Sequence, residues 1–106
     1  MIRGTTPTYT LFVEGHDLTG TTVYVAISKN GQVLVLSGER LSVTGGEEES
    51  IVAFGLTQEE TLALREGTAE VQVRFIDSAG MAYATEIGRV TVGKVLQEGV
   101  IEYAGD

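Results

Sequence analysis

The segment TVYVAISKNGQVLVL (residues 22–36) decides the fold class of this chain. Its first half alternates apolar with more polar residues, which is the two-residue period of a strand with one buried face. Asn30-Gly31 follows, and both residue types tolerate the positive φ angles of a two-residue hairpin turn. The run from Val33 to Leu36 is apolar on both faces, as expected of a covered central strand or of an interface strand. The segment predicts an antiparallel β-hairpin.

Further strands are predicted on both sides of this hairpin. The same alternation recurs at residues 9–14, 41–43, 51–56, 69–75 and 81–92. Within the last stretch the apolar residues change parity, which predicts a β-bulge near Gly88-Arg89.

One helical signal interrupts the strands. Thr57 and Glu60 have the spacing of a capping box, and Gly67 supplies a stop. A helix of about two turns cannot stand alone, so we expect it to lean on the sheets through Leu62 or Leu64. The pattern predicts an all-β, immunoglobulin-like Greek-key sandwich of about seven strands, with a helical crossover around residues 57–66. We expect a single domain over residues 1–106.

Composition narrows the function classes. The 106 residues carry a net charge of −8 and include no cysteine, which removes disulfides and thiolate metal sites. Residues 47–70 contain seven acidic residues against Arg65 alone, a balance that repels phosphate backbones. Neither a secretory signal nor an apolar run of membrane-spanning length is visible. We expect no nucleic-acid, membrane or cofactor partner.

Three stretches could carry chemistry, and each has a simpler interpretation. His16 and Asp17 could serve a small hydrolase or bind a metal, but a polar loop between strands is favoured because no second histidine is present. Glu47–Glu49 could bind calcium, although a solvated acidic loop is favoured. Gly88–Val95 nearly matches a phosphate-binding loop, yet Val95 replaces the hydroxyl that binds magnesium. No enzymatic activity is expected.

Apolar residues that the sandwich core does not need are candidates for a protein interface. Tyr24 has the opposite parity to its buried neighbours, and the tail after the last strand retains aliphatic residues. The candidate interface residues are Val33, Leu34, Val35, Leu36, Val95, Leu96, Val100, Ile101 and Tyr24.

Several motifs resemble a family of small proteins encoded by phages and prophages of Gram-positive, often gut-dwelling, bacteria. They are MIRGTTPT (residues 1–8), LTQEETL (56–62), VQVR (71–74) and VLQEGVI (95–101). Such proteins are similar to the N-terminal immunoglobulin-like domain of phage baseplate upper proteins. The resemblance implies a non-enzymatic virion component, assembled in the bacterial host cytoplasm, and supplies no catalytic residue.

Three functional hypotheses remain open at this point. The leading one is a tail or baseplate module that contacts other phage tail proteins and forms a homo-oligomer, since tails have rotational symmetry. The second is a carbohydrate- or receptor-binding module at the host surface, which predicts exposed tyrosines grouped in a concavity. The third is a hydrolase that uses His16 and Asp17.

Overall fold

A computed structural model describes residues 1–105 of the chain. Eight strands, one 3-10 turn and one short helix follow one another along it. They are β1 (Thr8–Glu14), β2 (Thr22–Lys29), β3 (Gln32–Ser37), the 3-10 turn (Gly38–Arg40), β4 (Leu41–Thr44), β5 (Glu49–Gly55), α1 (Gln58–Ala63), β6 (Gly67–Ile76), β7 (Ala82–Ala84) and β8 (Gly88–Val92).

Two antiparallel sheets pack against each other. One has the strand order β1-β5-β4, and the other has the order β3-β2-β6, with β7 and β8 both pairing with β6. Helix α1 connects β5 of the first sheet to β6 of the second, as the sequence predicts. The all-β sandwich is confirmed, whereas the immunoglobulin-like Greek key stays a prediction.

The core lies between the sheets and is built from alternate residues of the facing strands. Removing this apolar surface from water supplies the main driving force for the fold. The buried apolar residues are Val13, Leu18, Val23, Val25, Ile27, Leu36, Val52, Phe54, Leu56, Leu64, Ala69, Val73, Phe75 and Val92.

The hairpin between β2 and β3 forms as predicted. Lys29 pairs with Gln32, and the turn between them has positive φ at both Asn30 (51°) and Gly31 (83°). Strand β3 is nevertheless an edge strand whose one neighbour is β2. Within residues 1–105 no strand pairs with the second edge of β3, so the central-strand interpretation of Val33–Leu36 is wrong.

The predicted strand over residues 81–92 is broken in two, which gives eight strands instead of seven. Ala84 pairs with Arg74 and Gly88 with Val71, so three residues (85–87) lie opposite two residues of β6. Thr85 fills the break, because its N–H donates to Val73 O (2.9 Å) and its hydroxyl accepts from Val73 N–H (3.1 Å). The parity change is confirmed, but it lies just ahead of Gly88-Arg89.

The predicted capping box opens helix α1. The Thr57 hydroxyl accepts from Glu60 N–H (3.1 Å), and the Glu60 carboxylate accepts from Thr57 N–H (2.8 Å). The helix ends at Ala63, ahead of Gly67, which begins β6. Leu64 is buried, as one of the two alternatives predicted.

Both ends of the described chain are attached to the sandwich. Ile2 forms a parallel bridge with Gly93 at the end of β8. The Arg3 guanidinium binds the Glu98 carboxylate at 2.7 Å. Further along the tail, Ile101 N–H donates to the Gln58 side chain of α1 (2.9 Å). Residues 1–105 include no helix with the length and apolar character needed to cross a membrane.

Candidate protein-interaction surface

The outer face of the five-stranded sheet carries exposed apolar side chains. Within the β2–β3 ladder, Ala26 lies opposite Val35 and Tyr24 opposite Ser37, so these residues share one face. The exposed fractions are 41% for Tyr24, 55% for Val35 and 59% for Val33. Their neighbours at alternate positions point inward, which is why the apolar run in β3 supplies both the core and this surface.

Strands β6 and β7 extend the same face. Arg74 lies opposite Tyr24 across the β2–β6 ladder, and Ile76 pairs with Ala82 of β7. Together with the hairpin they form a shallow depression of about 470 Å³. We name this surface the outer-sheet patch, and its lining residues are Tyr24, Ala26, Val33, Val35, Arg74, Phe75, Ile76 and Ala82.

The structure brings together part of the predicted interface and separates the rest. Leu34 is half-buried against the core and Leu36 is 1% exposed, so neither side chain reaches the patch. The tail residues do not line it either. Val95 is half-buried, whereas the other three are exposed: Leu96, Val100 and Ile101.

Sequence reasoning missed Ile76 as a surface residue. It ends the outward-facing series of β6, in which Glu70, Gln72 and Arg74 are polar. An aliphatic residue at the fifth and last outward position, after four polar residues that begin with Thr68, is the signal that could have identified it. Phe12 of β1 is likewise an apolar residue at an outward position. It is 61% exposed and lies on the outer face of the other sheet.

His16 is exposed and its ring contacts two other aromatic rings. Its ring centroid lies 5.1 Å from that of Phe75 and 5.3 Å from that of Tyr83, and these two rings stack at 5.2 Å. Contacts between aromatic rings at these distances are stabilising, so they help to hold the β1–β2 loop against β6 and β7.

Among the other polar candidates, Asp17 has a hydrogen-bond partner within its own loop. The Asp17 carboxylate accepts from Thr19, whose side chain and backbone N–H both lower the pKa of Asp17. Within residues 1–105 no three histidine or acidic side chains converge closely enough to hold a metal ion. Residues 88–92 of the near phosphate-binding motif form strand β8, so their amides do not converge as a loop would require.

The tyrosines lie in separate environments. Tyr24 lines the outer-sheet patch, Tyr9 packs on Phe54 with centroids 5.8 Å apart, and Tyr83 contacts the His16 ring. A saccharide site normally stacks the ligand on neighbouring aromatic faces. The grouping that a carbohydrate-binding module predicts is therefore not found among these three.

Comparison of the sequence with protein-family models gives no match, and comparison with curated proteins gives none.

Proposed function

We propose that this protein is a non-enzymatic structural or adaptor module that works through protein–protein contacts made by the outer-sheet patch. One observation carries the proposal. Tyr24, Val33, Val35 and Ile76 come from three different strands, and each exposes more than a third of its surface on the same face. Large apolar side chains that are exposed together on one face form a surface that a protein partner can cover.

The size of the patch suits the centre of an interface. The patch is roughly 14 Å wide, because three strand spacings separate β3 from β7. It is roughly 13 Å long, which corresponds to four residues along β2. An area of that size is smaller than a complete protein interface, which buries about 800 Å² on each partner. The patch would therefore form the apolar centre, with the surrounding polar residues as its rim.

The resemblance to phage and prophage proteins supplies the biological setting. On that basis we propose a virion component of the tail or baseplate, which assembles in the bacterial host cytoplasm, contacts other tail proteins and forms a homo-oligomer. Rotational symmetry of a tail would repeat one such contact around a ring. The net charge of −8 favours neighbours with basic surfaces.

The experiment compares the purified protein with a Tyr24→Ser/Val35→Glu variant. Multi-angle light scattering over a concentration series measures self-association, and binding is measured to each neighbouring tail protein encoded beside this chain. We expect the variant to lose the contact. Ser42→Glu, an outward-facing change on the other sheet, is the matched control and should retain it.

A strictly monomeric protein that binds none of those neighbours would overturn the proposal. Labelled antibody against the chain provides a second measurement on purified particles. Signal at the tail supports the setting, whereas particles without the protein contradict it.

A further inference from the structure

Strand β1 has an unoccupied backbone edge. Its one strand neighbour in the described chain is β5, and the bond from Leu56 N–H to Pro7 O (3.0 Å) continues the ladder between them. Hydrogen-bonded and open pairs alternate in an antiparallel ladder, so every second residue of β1 turns its N–H and C=O away from β5. These residues are Thr8, Thr10, Phe12 and Glu14.

Beside this edge the sandwich is open between its two sheets. A cleft of about 500 Å³ separates β1 from the break between β7 and β8. Its walls include core side chains such as Val13, Val73 and Phe75. A second cavity of about 190 Å³ continues along the same side beneath Tyr9 and Leu11. Side chains of a strand added to β1 would enter these spaces from alternate positions.

Charge at the cleft selects the kind of strand that fits. Among the described residues that line the cleft, Glu14 and Glu86 carry carboxylates and none is lysine or arginine. Arg89 lines the smaller neighbouring cavity, where its guanidinium lies 3.8 Å from the Glu70 carboxylate. Neither glutamate forms a salt bridge with a residue in the described range 1–105. A second copy of the chain would bring its own net charge of −8. Electrostatic complementarity therefore favours a basic partner.

We propose that the β1 edge accepts an extended basic segment of another protein as an added strand. The backbone of the segment would bond to the outward N–H and C=O groups of Thr10 and Phe12. Its apolar side chains would fill the cleft, and its lysine or arginine heads would lie beside Glu14 and Glu86. Strand addition of this kind takes affinity from the main chain and specificity from the pockets.

This inference concerns a different surface from the outer-sheet patch, although Phe75 lines both. The patch lies on the outer face of β2, β3, β6 and β7, whereas the acceptor is the edge of the opposite sheet. The Tyr24→Ser/Val35→Glu variant should therefore still accept the strand, and the two proposals can fail independently.

The first test uses two capped synthetic peptides, KVTVTVK and EVTVTVE, and measures their binding by fluorescence anisotropy. We expect the lysine peptide to bind saturably and at least about tenfold more tightly than the glutamate peptide. The reason is that both cleft carboxylates attract lysine and repel glutamate. On addition of the lysine peptide, amide hydrogen exchange should slow at Thr10 and Phe12. Equal affinity for the two peptides, or unchanged exchange at these amides, would overturn the proposal.

Proline substitution tests the backbone edge. Thr10→Pro removes an outward N–H without removing a bond to β5, a position at which edge strands tolerate proline. The matched control is Val43→Pro on β4, the other edge of the same sheet, because Ser42 and Thr44 supply the bonds to β5 there. We expect Thr10→Pro to abolish binding of the lysine peptide and Val43→Pro to retain it.

Charge substitution tests the cleft without altering the backbone. Glu14→Gln/Glu86→Gln should weaken binding of the lysine peptide about tenfold and flatten its salt dependence. Glu59→Gln/Glu66→Gln, which makes the same change in net charge near α1, should alter it less than about twofold. Equal effects of the two double variants would contradict the assignment. A wild-type dimer that Thr10→Pro converts to a monomer would identify a second copy as the occupant and overturn it.

Discussion

Arg40 and Glu60 form a bidentate ion pair that joins the turn after β3 to the first turn of helix α1. Arg40 Nη2 lies 2.6 Å from Glu60 Oε1, and Nη1 lies 2.9 Å from Oε2. The hydrogen bond from Arg40 lowers the pKa of the Glu60 carboxyl from its ordinary value of 4.5. The same carboxylate completes the capping box with Thr57, so one side chain serves two structural roles.

Replacing Glu60 should destabilise the fold in a pH-dependent way. We expect Glu60→Gln to lower the free energy of unfolding by about 0.5–1 kcal/mol at pH 7, because glutamine can still complete the capping box but loses the partly exposed ion pair with Arg40. Because folding lowers the pKa of Glu60, its contribution is complete above pH 4.5 and is lost as the pH falls through the lower folded value. Urea unfolding of both proteins at pH 7 and at pH 2 measures the difference, which should shrink at pH 2. Glu59→Gln, in the same helical turn, is the control, and an equal loss there would contradict the assignment.

Adjacent residues of β3 should respond very differently to truncation. Leu36 is 1% exposed in the core, whereas Val35 is 55% exposed in the outer-sheet patch. We expect Leu36→Ala to cost about 2–5 kcal/mol through lost burial and a cavity. Val35→Ala should change the free energy of unfolding by less than about 1 kcal/mol, as surface substitutions usually do. Chemical denaturation measures both values, and similar losses would show that the strand faces are assigned incorrectly.

Ser50 should be more important than its small side chain indicates. It is fully buried, its hydroxyl accepts from Leu18 N–H (2.9 Å), and it donates to His16 O (2.8 Å). Ser50→Ala leaves a buried N–H unpaired, which costs about 1–3 kcal/mol. Thermal unfolding should show the loss, and hydrogen exchange at Leu18 should accelerate. Ser42→Ala on the exposed face of β4 should be nearly neutral; if it costs as much as Ser50→Ala, the buried hydrogen bonds are not the cause.

The β2–β3 turn should resist a side chain at its second position. Gly31 has φ of 83°, and no atom lies near where a Cβ would be, so strain at Gly31→Ala would come from the backbone alone. A left-handed conformation costs an L-residue roughly 1–2 kcal/mol. Gly88→Ala is the matched control, because Gly88 has an ordinary backbone and an added Cβ would meet Val71 O at 3.8 Å. Denaturation midpoints should fall for Gly31→Ala and stay nearly constant for Gly88→Ala.

Local signals explain why much of the fold could be predicted from the sequence. Asn30-Gly31 and the Thr57–Glu60 box act through bonds and dihedral angles within a few residues, and both form as expected. The inward and outward positions of β2 also follow from alternation alone, which places Tyr24 outside.

Long-range pairing explains what the sequence could not predict. Residues 33–36 are apolar at every position, so their pattern is equally consistent with a central and an edge strand. The order of strands in a sheet depends on partners far along the chain, and it decides that Val35 is exposed and that β1 has an unoccupied edge. The outer-sheet patch combines the hairpin with Ile76, forty residues further on. The sequence could therefore identify Tyr24, Val33 and Val35, but not the part of the patch that β6 and β7 supply.

The extra residue at 85–87 separates the hairpin that contains β7 from the part of the sheet that contains β8. Tyr83 pairs with Phe75 and Val92 pairs with Gly67, and the two pairings belong to different registers against β6. Suppose that a homologue lacks that extra residue and that the two sequences are aligned without a gap. On one side of Thr85, inward-facing residues of this protein would then be matched with outward-facing residues of the homologue. The turn at residues 77–81 could therefore be lengthened or replaced during evolution without shifting β8. We expect sequence diversity among homologues to concentrate at that end of the molecule.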